Sequence, residues 1–181
     1  STAFHGAALQ RTVVVTPGYV LDVVQMMSST GARTLMLPWH GLGQARADEL
    51  GVTFTRPDGV LRILLGARQP FRVELHRAPG PPGHDPEELE FPLVVSEGEQ
   101  VTLAACVDLG AGIEELDCVE GSFTVRFADG SLHMHEATDD GWLIDLGHGD
   151  PVSLGGLRDL PEEPLATPDA PPTTVARVPR V

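Results

Sequence analysis

What most constrains this chain is the rhythm of its apolar residues: they alternate with polar ones or gather in short runs, and Gly or Pro punctuates almost every run. Period two is the pattern of strands, whose successive side chains point to opposite faces. Strands read at Leu9 to Thr16, Tyr19 to Met27, Arg33 to Trp39, Gly51 to Arg56, Val60 to Gly66, Phe71 to Arg77, Glu90 to Val95, Gln100 to Leu109, Ser122 to Phe127, Ser131 to His135 and Trp142 to Leu146. Pro17-Gly18, Asp58-Gly59 and Asp129-Gly130 mark turns between consecutive strands, with Gly18 read at a positive-φ position. Only Gln44 to Leu50 has a helical look. Many short antiparallel strands at roughly ten-residue spacing predict an all-β, antiparallel two-sheet β-sandwich, a barrel being the other arrangement.

Size and charge narrow the function classes. At 181 residues and 41% apolar content the chain can bury a core, which excludes disorder throughout. All 12 positive charges are arginine; there is no lysine and no asparagine. Schiff-base and P-loop lysines and N-glycosylation sequons are therefore excluded. A formal charge of −14 argues against a nucleic-acid partner and against an anionic membrane surface. No run approaches the roughly 18 apolar residues of a membrane helix, and no signal-peptide pattern is present at Ser1. Residues 1–84 carry eight Arg against five acids, whereas residues 85–150 carry one Arg against 17 acids. An anionic partner is therefore expected on the first half. The sandwich is expected over residues 1–160; residues 161–181 hold six prolines and read as an extended or disordered tail.

Chemistry-bearing motifs are scarce. No nucleophile elbow, HExxH helix or phosphate loop is present, and neither Cys106 nor Cys118 has a neighbouring histidine. Their 12-residue separation suits a disulfide across neighbouring strands or two buried thiols, and so few cysteines favour thiols. His133 and His135 share one strand face. A metal bridging them would suggest a cupin-like barrel, but Glu136 is adjacent rather than several residues on, so a solvated face in the acidic half is the expectation. His76 reads as the polar face of a half-buried strand, and His84 and His148 as surface residues in loops. With Pro17-Gly18 as the turn, Val13 falls opposite Asp22 and Arg11 is diagonal to it. An Arg11–Asp22 ion pair and a ligand role for Asp22 are both compatible with that register.

The stretch from His5 through Arg11-Thr12-Val13-Val14-Val15-Thr16-Pro17-Gly18-Tyr19-Val20-Leu21-Asp22 to Leu37-Pro38-Trp39-His40 resembles the opening of the C-terminal β-sandwich domain of heparinase II/III-like polysaccharide lyases. Glu90 to Val95, Phe123 to His133 and Gly141 to Ile144 are similar to that domain's second half. The resemblance implies a zinc held by His5, Asp22 and His40, two imidazoles and a carboxylate that leave a position open. It also implies β-elimination on an anionic, uronic-acid-containing polysaccharide, alginate- or heparan-like, in a secreted or periplasmic enzyme. The reacting Tyr and His of such lyases come mainly from an α/α-toroid N-terminal to the sandwich, so the 181-residue chain alone is expected to be weakly active or inactive. Tyr19, the single tyrosine, is expected in an aromatic cross-strand role. Arg11 and Arg33 are the candidate contacts to glycan carboxylates or sulfates, and Trp39 is the candidate stacking ring or a core filler. The alternative reading is a non-catalytic β-sandwich that binds carbohydrate or protein.

Overall fold

The structure is a computed structural model and describes residues 6–41, 43–79 and 88–155. The expected ligand His5, His84 and the expected tail at 161–181 lie outside the described residues.

Fourteen strands and no helix form among the described residues: β1 (Ala7–Val15), β2 (Tyr19–Ser28), β3 (Arg33–Pro38), β4 (Gln44–Ala47), β5 (Gly51–Arg56), β6 (Gly59–Ala67), β7 (Phe71–Pro79), β8 (Glu88–Gly98), β9 (Gln100–Asp108), β10 (Ile113–Val119), β11 (Ser122–Phe127), β12 (Leu132–Thr138), β13 (Gly141–Asp145) and β14 (Val152–Gly155). All pairings are antiparallel. The chain is thus all-β and consistent with a sandwich, as its alternation predicts. It is built from three sheets, however, and not the expected two: β1-β2-β9-β6-β5-β4, β10-β11-β12-β13-β14 and β3-β8-β7.

The reason lies in the six-stranded sheet, which is buried on both faces. Along β2, Tyr19, Leu21 and Val23 face the five-stranded sheet and pack with Phe123, Val125, Phe127, Trp142 and Ile144. Val24 and Met26, one residue out of phase, belong to a second core with Leu35 and Val94 of the three-stranded sheet. β6 and β9 divide in the same way: Leu64, Ala104 and Cys106 go to the first core, Ile63, Leu65, Leu103 and Ala105 to the second. Strands covered on both faces read as continuous apolar runs. Leu103-Ala104-Ala105-Cys106-Val107 is such a run, and it marks a central layer rather than half of a two-sheet sandwich.

Local corrections have equally physical causes. Gln44 to Leu50 is not helical: β4 pairs with β5, Ala45 is buried, and Asp48 Oδ1 accepts from the Leu50 and Gly51 backbone N–H groups to turn the chain. A four-residue segment gains too little from helix propensity to nucleate against a waiting strand. The β1–β2 hairpin forms in the expected register, Val13 opposite Asp22. Its Gly18 does not have a positive φ. A Cβ there would sit 2.9 Å from that of Ala111, so close approach of the β9–β10 loop is what requires glycine. That loop is drawn in by Asp108, whose carboxylate accepts from the N–H groups of Gly110, Ala111 and Ile113 at 2.9, 2.7 and 3.2 Å. Here the chain leaves the central sheet for the five-stranded one.

Candidate functional site

Tyr19 begins β2 with Thr16 as its clamp: the Thr16 hydroxyl accepts from the Tyr19 N–H at 3.0 Å and donates to its carbonyl at 2.9 Å. The side chain then points into the core between the central and five-stranded sheets. Its hydroxyl meets two imidazoles of β12, His133 Nδ1 at 2.9 Å and His135 Nε2 at 2.7 Å. The His135 ring stands edge-on to the Tyr19 ring at 5.8 Å, and Phe127 closes the cluster, 5.9 Å from Tyr19 and 4.5 Å from His133. His133 and His135 do share one strand face, but it is not the solvated face the sequence suggests. It faces the core: His135 is 0% exposed. The tyrosine that binds it lies more than a hundred residues earlier, so nothing local in the sequence announces the contact.

One hydroxyl hydrogen cannot serve two acceptors, so one imidazole must donate to the Tyr19 oxygen. His135 Nδ1 is buried and has no hydrogen-bond partner. An orphaned acceptor lone pair costs less than an orphaned N–H. The satisfied arrangement therefore has His135 Nε2–H donating to Tyr19 and Tyr19 donating to His133 Nδ1. Desolvation favours the neutral imidazole: it lowers the pKa of His135 to about 4, with the neighbouring His133 adding to the effect. His133 is lowered too, by desolvation first and by His148 second, against the opposing pull of Asp145 and Asp129. Burial pushes the Tyr19 hydroxyl well above its ordinary range. These groups hold two sheets together, and the fully buried pair, Tyr19 and His135, is poorly placed to exchange protons with a substrate.

Arg11 and Asp22 form the second polar cluster, and they form it as the diagonal of the hairpin register allows. Arg11 Nε and Nη2 donate to the two carboxylate oxygens of Asp22 at 2.9 and 2.7 Å. The carboxylate side chain is 3% exposed and the guanidinium 58%. Arg11 thus carries the charge of a buried carboxylate to the surface. Each oxygen of Asp22 accepts one guanidinium N–H. Among the described residues no group of three His, Cys, Asp or Glu side chains is placed to hold a metal ion.

The remaining expected site residues are dispersed. His40 stacks on Phe91 at 4.7 Å, and His76, opposite Phe91 in the β7–β8 register, stacks on the same ring at 5.8 Å. His76 also meets Glu74 at 3.0 Å, on the exposed polar face predicted for it. His148 is exposed, with Nδ1 on the Leu146 carbonyl. Trp39 packs against the second core with its indole nitrogen buried, which places it as a core filler rather than an open platform. Arg33 is exposed and donates to Thr30 Oγ1 at 2.7 Å. Both cysteines are free thiols. Desolvation raises Cys106 to about 12 and Cys118 to about 11, which leaves neither nucleophilic at neutral pH.

A different arginine is free to meet an anion. Arg68, just after β6, makes no side-chain hydrogen bond or ion pair among the described residues. It lines a hollow of about 440 Å³ with Gln10, Gln25, Gln100, Thr102 and Met27. No family model, no curated protein and no solved structure matches this chain.

Proposed function

We propose that the chain is the β-sandwich module of a polysaccharide lyase that cleaves uronic-acid-containing glycans by β-elimination. It supplies one wall of the cleft, while the reacting Tyr and His come from a helical toroid of the kind such lyases carry. The observation that carries this reading is the β1–β2 hairpin. The segment on which the resemblance to heparinase II/III-like sandwich domains chiefly rests folds as the hairpin expected of such a domain's opening, in the register its Pro17-Gly18 turn predicts. The state of Tyr19 supports the division of labour. A base for C5–H abstraction needs access and a pKa near the working pH, and the only tyrosine of this chain has neither.

The second reading, a β-sandwich that binds carbohydrate and takes no part in a cleft, is favoured by one observation, the unengaged polar hollow beside Arg68. Both readings predict retention of the 181-residue chain on an immobilised uronate polymer, with release by salt. The ultraviolet absorbance of the unsaturated elimination product separates chemistry from binding. Retention without product is expected. Sustained product formation by this chain alone would place the reacting groups here and overturn the division of labour, and absence of retention would overturn the glycan role in both readings.

A further inference from the structure

The central sheet is longer than the sheet that covers it. β2 runs for 10 residues and β12, the middle strand of the covering sheet, for 7. At about 3.3 Å per residue the difference is roughly 10 Å of uncovered strand. Side chains of β2 that face the five-stranded sheet follow period two: Tyr19, Leu21 and Val23 are buried, Gln25 is half-buried and Met27 is 61% exposed. The face that begins as core thus ends as an open shelf.

The pairing registers lay out what the shelf displays. Gln10 lies opposite Gln25, Gln25 opposite Thr102, and the Arg68 N–H reaches the Thr102 carbonyl. Two amides, a hydroxyl and a guanidinium therefore cross the sheet in one row, with Met27 and Gln100 paired in the next. Gln10, Gln25, Gln100 and Arg68 make no side-chain hydrogen bond or ion pair among the described residues. Gln69, by contrast, is fully engaged. Its amide donates to Ser96 Oγ and the Thr102 carbonyl and accepts from the Thr102 N–H, at 3.0, 3.1 and 3.1 Å. Those three bonds fix the strand end that carries Arg68. The row is pre-organised on strands and presents donors and acceptors that no other described residue uses.

We propose that this shelf is a binding site for a uronic-acid-bearing oligosaccharide, with the glutamine amides on ring hydroxyls, Arg68 on a carboxylate and Met27 under the apolar ring face. An amide offers both a donor and an acceptor to neighbouring hydroxyls, and a guanidinium fork matches a carboxylate. The hollow of about 440 Å³ falls in the size range of small-ligand sites. The proposal rests on the glycan-facing reading and deepens it by naming the surface, which lies apart from Arg11, Arg33 and Trp39.

The test is a calorimetric titration of the full chain with a 1,4-linked uronate tetrasaccharide and with the same sugar after its carboxylates are reduced to alcohols. Arg68→Gln is expected to weaken the uronate about tenfold, the loss of one charge-assisted hydrogen bond, and to leave the reduced sugar unaffected. Gln25→Ala weakens both sugars, and Arg126→Gln, on the five-stranded sheet, changes neither. In the wild-type chain the side-chain amide resonances of Gln10, Gln25 and Gln100 shift on titration, a readout that needs no variant. If the uronate binds but Arg68→Gln and Gln25→Ala bind it as wild type, the shelf is wrong and the glycan-facing reading stands. If the wild-type chain binds neither sugar, both fall.

Discussion

The two faces of the central sheet are covered in different ways. Toward the three-stranded sheet the core is apolar, from Met26 and Val24 across Leu103 and Ile63 to Phe54, and the polar tie at its end, the Gln69 amide between Ser96 Oγ and the Thr102 backbone, contains no imidazole. Toward the five-stranded sheet an apolar core of similar extent carries polar ties as well: Tyr19 to His133 and His135, and the Arg62 guanidinium donating to the Ile113 carbonyl at 2.9 Å. An apolar contact is indifferent to sliding and to pH. A buried hydrogen bond fixes register and, where an imidazole is involved, makes the contact depend on the proton. The five-stranded sheet is reached through one short loop, so its placement depends on such ties more than that of a sheet interleaved with the centre by chain connections.

The sharpest way to break this comparison is acid. His135 titrates near 6.5 when unfolded and about 4 when folded. Its folded pKa is depressed, so the unfolded state takes the proton first. The stability this neutral histidine contributes is complete above pH 6.5 and is lost as pH falls toward 4, by about 3 kcal/mol in all. Carboxylates titrate in the same range, and the measurement is therefore a difference: denaturant midpoints of wild type and His135→Gln between pH 7 and 4. Glutamine retains a donor for Tyr19 and does not titrate, so its curve is expected to be flatter by that amount. Parallel curves would show that His135 is not the acid-sensitive group.

The next effect, smaller and independent of pH above 6.5, is that of Tyr19→Phe. It keeps the ring against Phe127 but leaves His135 without its partner, a cost of about 2 kcal/mol in thermal or denaturant unfolding. A loss below about half a kilocalorie would mean that the apolar contact alone positions the five-stranded sheet.

Legibility in the sequence divides along the same line. Strands whose alternation is local were readable: β5 and β11 begin and end where the residues place them, and the β1–β2 register follows from its turn. β10 was missed because its buried Ile113 and Leu116 are three apart, not two; a bulge between Ile113 and Glu115 breaks the period. β14 was missed because it is short and exposed along its whole length. The Arg11–Asp22 pair could be foreseen from a single hairpin. The Tyr19–His135 contact and the Gln25 shelf could not, because each depends on which sheet lies above β2 and where that sheet ends. The unbroken apolar runs in β6 and β9 were the signal that two sheets, not one, lie against the centre.

The smallest effect asks whether the two halves unfold together. Glu120, in the two-residue turn between β10 and β11, has a φ of 46°, followed by Gly121 at 88°. That is the mirror-image hairpin geometry in which asparagine is the favoured first residue and glutamate is strained. Glu120→Asn lies wholly within the five-stranded sheet and should stabilise it by about 0.5 kcal/mol. If the polar ties make the sheets one cooperative unit, amide exchange should slow to the same degree in β6 of the central sheet as in β11. Slowing confined to β10 and β11 would show that the five-stranded sheet opens by itself. In Tyr19→Phe, where the tie to the imidazoles is cut, that confined pattern is the expected one, since beside the apolar contact and the single connecting loop the two sheets then keep only the Arg62–Ile113 bond of those ties.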